Sequence, residues 1–502
     1  MKSNSRAPVS NRTSKRHSRK KGKSAAIDLS NLAACIEDAR RAALDNDPGP
    51  SVPLDFHKLR AHLETAKASL SPLYRQTAAE PFLQTLDQIG ANGFQQILAQ
   101  DPERDRLAGL MLDIAAAILQ PAAASGRKPV AAFHELVSDL YDGFLSAEDR
   151  RGVAPPDLEV TPPLVKFGNP DFGPYTWPVD ATRSFGLKVG VVSLPPSNAK
   201  RGVLAWTAIG HETAGHDILH ADDGLLDEVS QAVRRALRAK SSTAPLASYW
   251  AGRIDETASD VLGILNMGPS AAIGIVGYFR GLNAAFGGPP ILRNDGPASD
   301  AHPADIVRGF LAAEVVRGLA FSGASAWADV VLAETEKDAK SITLEGRKVP
   351  TALARASAEA VARAIANTPM KALEDHAFGE IQTWRDRDET VTAALREMLA
   401  QSEPVPLDVM TGVYAAHVVA AAATGALAKG GDPVLLFERM VDLLQKMNES
   451  NPSFGPLLVR HPGDIVRDRT WLPVAREDEL ATATRRTAGR SVHVGEPTTQ
   501  EA

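Results

Sequence analysis

Apolar residues recur at helical spacing along most of the chain. Leu29, Leu32, Ala33 and Ile36 open the pattern, and Leu107, Leu110, Met111, Ile114 and Ile118 continue it. Spacings of three and four predict helices from Ile27 to about Leu145. Pro48, Pro50 and Pro53 mark one loop there, and Pro121 with Gly126 marks another. Between Gly152 and Pro196 the character changes, because a run rich in Pro and Gly forbids long helices. The alternation from Phe185 to Leu194 predicts a strand. Helices are expected again over about 200–220, 225–239, 246–265 and 303–321, and from Leu344 to about Met447.

These elements imply a mostly α protein with a small β element, of the α+β class. The expected divisions are a disordered basic tail over 1–25 and a helical domain over 26–150. A metal-binding domain over 151–345, a helical region over 346–480 and a polar tail over 481–502 follow. The length of 502 residues suits about three domains. Hydrophobic residues at 44% and charged residues at 23% speak against bulk disorder. The single cysteine, Cys35, excludes a disulfide framework and fits a reducing, cytoplasmic setting. The longest apolar run, Ala415–Ala428, is too short to span a bilayer, so no membrane span is expected.

Charge is uneven. Residues 1–24 carry nine of the 55 Lys and Arg and no acid, leaving 46 basic against 61 acidic residues in the body. An acidic body argues against nucleic-acid binding by the folded part. The tail is expected to be solvated, with contact to an anionic partner as its functional reading.

Three of the twelve histidines fall within His211-Glu-Thr-Ala-Gly-His-Asp-Ile-Leu-His220. A His-Glu pair followed closely by a second His suits a metal hydrolase, with imidazoles binding Zn²⁺ and the carboxylate activating water. His211 and His216 lie five apart, and five α-helical steps leave them about 140° out of register. Both reach one ion only if the helix is distorted, with Gly215 as the cheapest place and His220 pointing away. Downstream, Glu256 and Asp260 share a helix face. One carboxylate completes a His211/His216/Glu256 set and the other supports a ligand His.

His211–His216 resembles the HExxGH motif of the dipeptidyl peptidase III family, and Glu256–Gly263 is similar to the acidic helix of prenyl-protease-type gluzincins. The resemblance covers about residues 200–310. It implies a zincin-like core, a peptide or protein substrate, Glu212 as the base, and site roles for His302 and Arg308. Phe185–Leu194 would then be an edge strand that aligns the peptide.

Other readings stand beside this one. Glu212, His216 and His220 line one face of an undistorted helix and with Glu256 suit iron. His216-Asp217 resembles the doublet of HD-type phosphohydrolases. A helical interaction protein with a relic site is the third. His302-Pro-Ala-Asp-Ile-Val-Arg308 recurs as His461-Pro-Gly-Asp-Ile-Val-Arg467 with six of seven positions identical. Helix capping explains both copies, and contact with the site is added for His302. Tyr249 and Tyr278 are candidate donors to an oxyanion, and His417 is expected in the core.

Overall fold

The computed structural model describes residues 27–123, 126–145, 161–170, 173–401 and 413–450. Both tails and His461 lie outside the described residues. The protein is mostly helical, with two small, open, three-stranded sheets. The zincin-like core expected above is not found, although the coarser α+β class holds. Among the described residues no single helix is long and apolar enough to cross a membrane.

The first sheet contains β1 (Leu164–Phe167), β2 (Tyr175–Trp177) and β3 (Val191–Leu194) in the order β1-β3-β2. β3 is parallel to β1 and antiparallel to β2, with Val165 opposite Val192 and Thr176 opposite the same residue. Every residue of β1 and β3 is buried, as expected for a sheet covered on both faces. Period-two alternation sends Leu164 and Val191 into a core built from helices between Phe56 and Ile118. Val165, Phe167, Val192 and Leu194 face the larger core, which extends from Leu32 to Met447.

Of the strand expected over Phe185–Leu194 only Val191–Leu194 forms, since Arg183–Phe185 is a 3-10 turn ended by Gly186 at φ 80°, and that short strand is the central one, not an edge. Both sides of β3 are already hydrogen-bonded, so it has no free edge for a peptide to join. The second sheet, β4 (Asp295–Gly296), β5 (Ile342–Leu344) and β6 (Arg347–Val349), ties the His302 loop to a later hairpin.

Three helices position the candidate site: α1 (Ile254–Met267), α2 (Pro269–Ala285) and α3 (Asp305–Gly318). α1 and α2 are joined at Gly268, whose φ of 63° breaks the helix, and Pro269 starts the next one. α2 therefore returns alongside α1 and forms one wall of a cavity.

Candidate metal centre

His211–Asp217 is a seven-residue π-helical segment. Bonds from i to i+5 bring positions five apart onto one face, so the expected departure from α geometry is present at the two histidines. Gly215 has a steric reason to be there. A Cβ on it would lie 2.4 Å from Ser259 Cβ and 2.5 Å from Ser259 Cα. Gly263 is its counterpart on α1, where a Cβ would sit 2.8 Å from the His211 backbone nitrogen. The π segment and α1 thus touch backbone to backbone. Gly215→Ala is expected to lower stability by about 1–3 kcal/mol and to weaken metal binding, read by denaturant titration and zinc calorimetry. Wild-type values for both would remove close packing as the reason for this glycine.

That contact brings His211 Nε2, His216 Nε2 and the Glu256 carboxylate together. The imidazole nitrogens are 3.1 Å apart. Glu256 Oε2 is 3.3 Å from His211 Nε2, and Oε1 is 3.5 Å from His216 Nε2. Glu256 Oε2 is buried and has no hydrogen-bond partner. Three donor atoms facing one another at these spacings form a buried His/His/Glu cluster able to chelate a divalent ion.

Each imidazole is fixed from behind. His211 Nδ1 is 2.9 Å from Asp260 Oδ1, and His216 Nδ1 is 2.9 Å from Asp255 Oδ1. Carboxylates at Nδ1 favour the tautomer that leaves Nε2 free for an ion. α1 therefore supplies a ligand and both anchors. Asp255 and Glu256 also lie in its first turn, where the helix dipole favours negative charge.

Arg308 lines the same cavity and is paired with Asp260. Its Nε and Nη2 each donate to Asp260 at 2.7 Å, and its guanidinium lies 4.6 Å from the Phe279 ring centre. His302 also reaches the site. Its side chain is half-exposed, with Nε2 3.2 Å from Glu256 Oε1 and Nδ1 3.1 Å from Asp300. Glu212 lines the same cavity, and Thr176 on β2 donates to its Oε2 at 2.9 Å. Tyr278 also lines the cavity, whereas the Tyr249 hydroxyl accepts the Ala304 N–H at 2.8 Å and steadies the His302 loop.

Glu212 and His220 line the same cavity but are not among the three mutually close donors. His220 bonds Asp180 at 3.1 Å and Asp255 at 3.2 Å, which separates it from the ligand cluster. Asp217 is buried against Gly190, and burial raises it to about 7. His417 is a core residue bonded to Asp388 at 3.1 Å.

Sequence reasoning missed Asp255 as an anchor, Thr176, and Gly263. Asp255 adjoins Glu256, but nothing in its spacing from His216 announces the bond. Thr176 is a single residue in a Pro- and Gly-rich stretch.

Burial alone would push His211 down. Its bond to Asp260 and the facing Glu256 carboxylate, with their charges, outweigh that and raise it to about 10. Burial also opposes ionisation of Glu256, but His211, His216 and Arg308 hold it well below the usual carboxylate range. Without an ion, the raised His211 contributes stability fully below about 6.5 and loses it as pH rises through about 10. Metal affinity runs the other way, because an ion must displace the Nε2 proton. Zinc affinity is expected to rise about tenfold per pH unit between pH 7 and 8.5, with about one proton released. Calorimetry in buffers of different ionisation enthalpy measures this, and a pH-independent affinity would contradict it.

No family model, no curated protein and no solved structure matches the chain. The resemblance to gluzincins is corrected accordingly. The triad is not carried by one contiguous HExxGH motif; it joins a π segment to a carboxylate on a separate helix, within a core that is not zincin-like. The peptidase assignment falls with it, and β3 lacks the free edge that assignment needed.

Proposed function

We propose that the protein is a metal-dependent hydrolase acting on a neutral small-molecule ester or amide, with Zn²⁺ on His211, His216 and Glu256. The observation that carries this reading is the pairing of the anchored triad with Glu212, a carboxylate outside the triad in the same cavity. The mixed His/His/Glu donor set, with Glu212 free to serve a bound water, suits Zn²⁺.

A zinc ion held there supplies Lewis acidity, polarising a substrate carbonyl and lowering the pKa of water. The chain's own residues do the rest. Thr176 occupies Glu212 Oε2, leaving Oε1 to take the proton from the attacking water and pass it to the leaving group. His302, whose Nε2 lies 3.2 Å from Glu256 Oε1, would donate to charge developing on the substrate oxygen. Asp255 and Asp260 hold the imidazoles, and Arg308 holds Asp260.

Electrostatics supports a neutral substrate. Glu212, Asp255, Glu256 and Asp260 line the cavity, and its one guanidinium, Arg308, is engaged by Asp260. Among the described lining residues no Lys or Arg is free to pair with the oxygens of a phosphate ester. The test is turnover of a panel of neutral esters and amides by the purified chain. Hydrolysis should stop with a chelator and return with added zinc. Turnover indifferent to chelation would refute the proposal.

A further inference from the structure

Six residues of α2 line the metal cavity: Ala271, Gly274, Ile275, Tyr278, Phe279 and Leu282. Their spacings of three and four place them on one helical stripe, about 16 Å long at 1.5 Å per residue. An apolar stripe of this kind ordinarily packs against a partner element. Here it borders a cavity of about 530 Å³ that also contains the triad.

The stripe is graded. Large side chains, Phe279 and Leu282, are only partly buried, whereas Ala271 is buried. Small residues, Ala208, Gly263, Ala271 and Gly274, also line the cavity. These glycines cannot be filled by larger side chains without collision. A Cβ on Gly274 would lie 2.0 Å from Thr207 Oγ1, and one on Gly263 would strike the His211 backbone. Close packing at these two glycines fixes the cavity wall, and the open space lies beside it, bordered by Ile275, Tyr278, Phe279 and Leu282.

We infer that this space receives an unbranched apolar acyl chain, so that the substrate is an ester or amide of a medium-chain carboxylic acid. This rests on the hydrolase reading above and narrows it. The carbonyl would lie at the triad, beside Glu212 and His302, and the hydrocarbon would run along the α2 stripe. Desolvation of the chain supplies binding.

The test uses the full chain loaded with zinc and a series of straight-chain hydroxamates of two, four, six and eight carbons. The hydroxamate head group reports the metal and the tail reports the wall. Calorimetric Kd should fall about threefold to fourfold per added methylene until the space is filled. Ala271→Leu and, independently, Ala208→Leu should shrink the eight-carbon to two-carbon affinity ratio at least tenfold. Two sites guard against one variant failing to fold. If acetohydroxamate binds but affinity is flat or falls with chain length, the acyl-chain inference is overturned while the metal site stands. If acetohydroxamate does not bind zinc-loaded protein, the hydrolase reading fails and takes the inference with it.

Discussion

Glu212→Gln is expected to keep about one zinc per chain and to lose turnover by about 10²–10⁴-fold, the usual range for a general base. The amide still accepts the Thr176 hydroxyl through its oxygen, so the local fold is retained. It cannot take a proton from water at Oε1. Metal content by mass spectrometry and turnover on the same preparation separate binding from chemistry. Loss of zinc in this variant would make Glu212 a ligand and revive the Glu212/His216/His220 set. Full activity with zinc bound would remove Glu212 from the mechanism.

Asp260→Ala carries the largest expected effect on stability. Asp260 has no exposed side-chain surface, and Arg308 is nearly as buried. Removing the carboxylate leaves a buried guanidinium without its bidentate partner, a change that costs about 3–5 kcal/mol. His211 also loses the bond that orients it, which should weaken zinc binding about 10–100-fold. The two consequences are separable. Asp260→Ala combined with Arg308→Met should recover much of the stability, since the unpaired charge is gone, but not the metal affinity. Denaturant midpoints and zinc calorimetry on the single and double variants measure both. Unchanged stability and affinity in Asp260→Ala would mean the Asp260 bonds position nothing.

The sequence was informative where local chemistry is dense and ambiguous where long-range pairing decides. His211, His216 and Glu256 could be singled out because three histidines crowd one short segment and an acidic helix follows. The π geometry was legible too, since a five-residue spacing cannot reach one point on a regular α-helix. The position of β3 was not. Alternation shows that a segment is extended, but not whether one or both edges are paired, and β3 has neighbours on both sides.

Arg308 shows a similar limit. Its spacing after His302 suggested a cation turned toward substrate, whereas Asp260 on another helix captures it. Asp255 was passed over because its partner His216 lies 39 residues away. The family resemblance misled for a related reason: a short motif can be shared by chains whose sheets and cores differ.

The most direct test is anomalous diffraction at the zinc edge from crystals of the zinc-loaded full chain. One peak is expected, about 2.0–2.2 Å from His211 Nε2, His216 Nε2 and one Glu256 oxygen. A peak held instead by His220, Asp255 and Asp180, or no peak near His211 at full zinc occupancy, would contradict the assignment of this cluster as the metal centre.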